Sequence, residues 1–100
     1  MIDKSELIKY FQSGCKEDRN LNIGVEHEKF LFENKSNKRI NFETVSKIFN
    51  FLEQFGWKPH KENNNVIALY KGKKNITLEP GNQIELSGAP LKSIHQNCSE

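Results

Sequence analysis

The sequence predicts an α+β fold, an antiparallel sheet with flanking helices. Three observations carry this. After Trp57 the chain is a succession of short β-type runs, WKPHKE, VIALYK, ITLE and IELSG, separated by NNN, GKKN and PGNQ. Asn, Gly and Pro supply the backbone angles of tight turns, so the runs read as an antiparallel meander. Upstream, Val45, Ile48, Phe49, Leu52 and Phe55 recur at i, i+3, i+4, i+7 and i+10. That is the apolar stripe of an amphipathic helix. Within the meander, Ile84 and Leu86 alternate with Gln83, Glu85 and Ser87. Strict alternation belongs to a sheet with one face in the core and one in water.

The elements follow in order. Asp3 and Glu6 have the spacing of a capping box, with Asp in place of Ser or Thr. Leu7, Ile8 and Phe11 then continue at helical spacing, and Gly14 can end that helix. CKEDRNLN is a polar connector. Strand character runs from Ile23 to about Glu33, and NKSNKR is a loop. Asn41 can cap the helix that carries the apolar stripe, and Gly56 stops it. Pro90 suits the first turn of a third helix, LKSIHQNCSE, whose stripe is Leu91, Ile94 and Cys98. The stripe is still running at Glu100, so the chain reads as the front of a larger domain.

The totals exclude several classes. One hundred residues is one domain at most, with a modest core. Apolar residues are 35% and charged residues 28%, which fits neither a disordered nor a membrane chain. A net charge of +2 gives no reason to expect a nucleic-acid partner. MIDKSELIKYFQSG lacks the apolar core of a secretory signal. No run approaches the roughly 20 apolar residues of a membrane span. Cys15 and Cys98 form no CxxC or zinc pattern and read as reduced thiols. These features predict a cytoplasmic protein.

Four carboxylates stand out. Glu26 and Glu28 share one face of their strand, with His27 on the other. Two acids at i and i+2 repel, and a hard cation such as Mg²⁺ would relieve that repulsion. A solvated strand face explains the same pair. Glu85 shares its face with Gln83 and Ser87, and Glu79 shares its face with Thr77. One sheet face is therefore rich in acids and short hydroxyls, and all four glutamates can converge there. A sheet with one wet face also accounts for this alternation.

Other features carry less. His27 has no ligand partner at a metal spacing and reads as structural, and His60 and His95 are isolated. Lys71, Lys73 and Lys74 around Gly72 make a basic turn, open to phosphate or simply to water. No P-loop and no GxGxxG is present, so the sequence assigns no nucleotide-binding residues. It shows no Cys-His or Ser-His-Asp arrangement and assigns no catalytic residue.

IGVEHEKFLF (23–32), FGWKP (55–59), NNVIALYK (64–71), ITLEPGNQIELSGAPL (76–91) and HQNCSE (95–100) resemble the N-terminal part of plant-type glutamate–cysteine ligases. The match runs in order over nearly the whole chain. The resemblance implies a fold similar to the glutamine synthetase catalytic domain, an antiparallel sheet whose concave face holds nucleotide, metals and substrate. Residues 1–100 would be the incomplete N-terminal part of that single domain, inactive alone. The family joins the γ-carboxylate of glutamate to the amino group of cysteine, the first step of glutathione synthesis, using ATP and Mg²⁺ through an acyl phosphate. It implies metal ligands at Glu26, Glu28 and Glu85, with Glu79 as a further acid of the set and Gln83 as a polar substrate contact. The implied partners are glutamate, cysteine and ATP, with no nucleic acid and no membrane. Two positions depart from the family pattern: Asn82 stands where a Gly is expected, and Val25 where a Thr is expected. The alternative is a small non-catalytic module that binds Mg²⁺–nucleotide or an acidic metabolite on the same scaffold.

Overall fold

A computed structural model describes residues 1–99. Five strands form one antiparallel sheet: β1 (Glu26–Lys29), β2 (Lys58–Glu62), β3 (Asn65–Lys71), β4 (Lys74–Glu79) and β5 (Gln83–Ser87). Their order is β1-β5-β4-β3-β2. The last four follow the chain as a meander, and the first strand closes onto the last. Helices α1 (Lys4–Ser13), α2 (Phe42–Glu53) and α3 (Ile94–Ser99) complete the structure. The α+β architecture expected from the sequence is the one observed. No helix among the described residues is long and apolar enough to cross a membrane.

Helix α1 begins as its residues dictate. The Asp3 carboxylate accepts a bond from the Glu6 amide at 2.9 Å, and the Glu6 carboxylate accepts one from the Asp3 amide at 2.9 Å. These reciprocal bonds satisfy two amides that the helix itself leaves unpaired. Gly14 ends the helix in right-handed backbone (φ −79°), its amide donating to Gln12 and Phe11. None of the residues of α1 is buried, so its apolar spacing has no packing partner among the described residues.

Helix α2 supplies the core. The Asn41 side chain accepts from the Thr44 amide and hydroxyl, both at 2.9 Å. Val45 and Phe49 are completely buried against Val66, Leu69, Ile76 and Ile40. Ile48 and Leu52 flank them, whereas Phe55 lies past the helix end and is exposed. The face of the sheet under α2 includes Val66 and Leu69, three residues apart on β3. Simple alternation would place them on opposite faces. The β2–β3 register shifts between His60, paired with Ala68, and Lys61, paired with Val66. Ile67 is the extra residue of this bulge, and it lets Val66 turn to the core.

Two expectations change. The strand expected over residues 23–33 is regular only at Glu26–Lys29, with single bridges at Ile23 to Leu91 and Phe32 to Arg39. Its partner β5 has only five residues, and pairing stops when that partner turns away. The third helix starts at Ile94, after Pro90 rather than at it. Leu91 is held extended by two backbone bonds to Ile23, at 2.6 and 2.9 Å. The Ser93 hydroxyl then accepts from the Gln96 amide at 3.2 Å, and the Gln96 side chain accepts from the Lys92 amide at 2.9 Å. Glu100, the last residue of the expected helix, lies outside the described residues.

Candidate metal centre

The site is built by register. β5 lies between β1 and β4, and it pairs Glu85 with Glu28 on one side and with Thr77 on the other. One step along, Gln83 pairs with Glu79, and in the other direction Ser87 pairs with both Glu26 and Asn75. Paired positions put their side chains on the same face. All four glutamates therefore stand on the polar face. His27 pairs with Leu86, which pairs with Ile76, so the histidine belongs to the apolar face.

Three of the four acids meet. One carboxylate oxygen each from Glu28, Glu79 and Glu85 lies within 4.8 Å of the others. Glu26 is outside this group, opposite Ser87 at the far end of β1. Glu79 and Glu85 are half-buried, and Glu28 is exposed. Two hydroxyls orient the half-buried pair. Thr77 donates to Glu79 at 2.8 Å and Ser87 donates to Glu85 at 3.1 Å. Each of these bonds is to Oε1, and a carboxylate has lone pairs for further partners.

The arrangement carries an electrostatic cost. Like charges directly opposite on a ladder destabilise the sheet. At this separation each pair repels by on the order of 1 kcal/mol in water, and by more as solvent is excluded. None of the three acids forms an ion pair with a lysine or arginine among the described residues. A cation is the simplest group to offset the cost. The donor set is oxygen only, which suits a hard ion such as Mg²⁺. Octahedral Mg²⁺ has bonds of about 2.1 Å, so its ligand oxygens lie within about 4.2 Å of each other. Small torsional adjustments of the three side chains cover the difference.

The turn that joins β4 to β5 sets the position of Glu79. Pro80–Asn82 forms a tight turn, with Gly81 at φ +74° and Asn82 at φ +59°. Two consecutive left-handed residues explain why Gly and Asn stand here. The Gln83 amide donates to the Pro80 carbonyl at 3.1 Å, so this side chain closes the turn. Of the basic turn, Lys71 donates to the Phe55 carbonyl at 2.8 Å and lies 5.9 Å from the Trp57 ring centroid. It ties the end of α2 to the sheet. Cys15 and Cys98 are free and exposed.

Sequence reasoning missed Arg39. Its guanidinium donates to the Gly81 carbonyl and stacks 4.4 Å over the Phe30 ring. Arg39 and Gly81 are 42 residues apart, and no local pattern signals the contact.

The structure is an α+β scaffold whose open antiparallel sheet gathers carboxylates from three strands onto one polar face. Comparison with known proteins makes the assignment specific. The profile of glutamate-cysteine ligase family 2 matches residues 22–100, and the chain belongs to that family. It is 49% identical over 100 residues to glutamate–cysteine ligase A, chloroplastic, of Oryza sativa subsp. japonica, covering 99% of this chain. It is 47% identical to the chloroplastic glutamate–cysteine ligase of Medicago truncatula and 42% identical to that of Arabidopsis thaliana, again over 99% of the chain. The chain spans about a fifth of the length of these relatives, 20% of the first two and 19% of the third. Their names correct one expectation. Each is called chloroplastic, which overturns the cytoplasmic location read from the cysteines and the N-terminus.

Proposed function

We propose that this chain is the metal-holding, N-terminal part of a single glutamate–cysteine ligase catalytic domain, and that the whole protein joins the γ-carboxylate of glutamate to the amino group of cysteine. The observation that carries the reading is the convergence of Glu28, Glu79 and Glu85 on one sheet face, in a chain of the ligase family. In this reading ATP is the co-substrate and the γ-carboxylate is activated as an acyl phosphate. Phosphoryl transfer depends mainly on positioning and on neutralising charge. Mg²⁺ bound at the cluster would supply that neutralisation.

The chain's own residues do the holding. Glu28, Glu79 and Glu85 supply oxygen ligands. Thr77 and Ser87 fix two of those carboxylates by donating to them. Glu26, on the same face but outside the three-acid group, would hold a second cation or its water shell. Gln83 anchors the turn and keeps its carbonyl oxygen for a polar substrate group. None of these carboxylates needs to act as a base. The relatives' names point to the plastid as the place of action.

The test is ATP-dependent formation of γ-glutamylcysteine by the full-length protein, with and without Mg²⁺, in wild type and Glu85→Gln. Loss of product in Glu85→Gln, with the fold intact by circular dichroism, supports the reading. Undiminished activity in that variant overturns the metal assignment. No ligase activity in the wild type overturns the enzyme assignment.

A further inference from the structure

We propose that Arg39 is a positioning residue for the metal centre, acting through Glu79. The inference rests on the metal reading above and extends it to a residue outside the acid cluster.

Glu28 and Glu79 are not on neighbouring strands. β5 lies between them, so the ladder joins them only through a third strand. At the end of the sheet a second connection bypasses β5. Phe30 follows Glu28 by two residues, and its ring carries the Arg39 guanidinium at 4.4 Å. The same guanidinium donates to the carbonyl of Gly81, two residues past Glu79. A parallel bond runs from the Asn82 side chain to the Ile40 carbonyl at 3.4 Å. A backbone bridge between Phe32 and Arg39 holds the donor in place. The chain thus runs from Glu28 through Phe30 and Arg39 to Gly81 and Glu79.

The turn needs such a brace. Gly81 and Asn82 occupy left-handed backbone in succession, a region that carries a steric cost for any residue with a side chain. Arg39 packs so closely that a Cβ on Gly81 would lie 3.3 Å from its Nη2. A planar guanidinium that stacks on one side and donates on the other fixes direction as well as distance, which a lysine does less well. Groups that orient metal ligands typically change metal affinity by about 10–100-fold when removed. Arg39 is exposed, so its loss should leave the core intact.

The test is a double-mutant cycle in the full-length protein, with Mn²⁺ as the probe and free Mn²⁺ read by electron paramagnetic resonance. Arg39→Ala is expected to weaken Mn²⁺ binding by about tenfold, and Arg39→Lys by less. The effect of Arg39→Ala should vanish in a Glu79→Gln background and persist in a Glu26→Gln background. An unchanged affinity in Arg39→Ala overturns the proposal. So does an equal loss in both backgrounds, which a general loosening of the fold would produce. If Arg39→Ala loses its folded state, Arg39→Lys and Phe30→Leu carry the same cycle. Wild-type protein that binds no Mn²⁺, or binds it equally well as Glu85→Gln, overturns the metal reading and this inference with it. The other negative outcomes overturn the role of Arg39 alone.

Discussion

Glu28 and Glu85 stand directly opposite each other on the β1–β5 ladder, two carboxylates at a paired position with Glu79 within reach of both. A sheet selected only for stability would place a lysine or a threonine at one of these sites. Instead the neighbouring hydroxyls, Thr77 and Ser87, donate to the acids and hold them as acceptors. Like charges at paired positions lower the stability of the sheet, and in the proposed reading a cation offsets that cost.

That relationship gives opposite signs for stability and activity. Glu85→Gln is expected to raise the stability of the metal-free full-length protein by about 0.5–1 kcal/mol, because one like-charge pair is removed. The same change is expected to abolish the rise in Tm that Mg²⁺ gives the wild type, since a ligand that binds only the folded state stabilises by mass action. Turnover should fall by at least about 100-fold. Glu26→Gln should lose less metal affinity than Glu85→Gln, because Glu26 lies outside the three-acid group. Thermal melts over graded Mg²⁺ check the stabilities and affinities, and γ-glutamylcysteine formation by the full-length protein checks turnover.

The sequence-level reading succeeded where the signals are local. Asn41 and the Val45–Phe49 stripe place α2, and the Asn/Gly/Pro turns place β2 to β5 within a residue or two. It also grouped Glu26 with Glu28, Glu79 with Thr77, and Glu85 with Ser87, because alternation decides that within each strand; the register between strands puts all of them on one face. It could not choose which of them meet. The nearness of Glu28 to Glu79 depends on the order β1-β5-β4, a pairing between distant segments. The start of α3 was misplaced for a different reason. Pro90 is a common first-turn residue, but the Ser93-to-Gln96 spacing was the stronger signal and was legible in the sequence. The length of β1 was not legible, since it is set by where its partner turns away.

The β4–β5 turn tests the account of Gly81 and Asn82. Gly81→Ala is expected to destabilise the protein by about 1–2 kcal/mol, because φ is +74° and the new methyl group would press on Arg39. Asn82→Gly, also at positive φ, should fold normally and change stability by less than about 1 kcal/mol. Denaturant midpoints of the two variants measure the difference. Equal effects would mean that the turn is not held as described.

The core sets the platform on which the acids stand. Phe49 is completely buried between α2 and the apolar face of the sheet, opposite the acid face. Phe49→Ala should cost about 3–5 kcal/mol, from lost burial and the cavity left behind. In the full-length protein the variant is expected to lose its fold at a clearly lower temperature than the wild type. Its metal binding should fail together with its fold, unlike that of Glu85→Gln. Circular dichroism beside a Mn²⁺ titration separates the two kinds of loss.

The cap of α1 gives a pH dependence with a definite sign. The Ser5 hydroxyl and the Glu6 amide donate to the Asp3 carboxylate and hold its pKa below the ordinary 3.8. A carboxyl with a lowered folded-state pKa favours the folded form most strongly when ionised. Its contribution is therefore fully present above about pH 3.8 and is lost as the pH falls through the folded-state value. Because α1 buries none of its residues, this loss should appear as fraying of the helix rather than unfolding of the sheet. The protection of the Glu6 and Leu7 amides, relative to their intrinsic exchange at each pH, should fall at low pH while that of β3 and β4 stays high. In Asp3→Ala the first-turn amides should show low protection at every pH, with no step in the acid range. A step that survives in Asp3→Ala would assign the titration to another group.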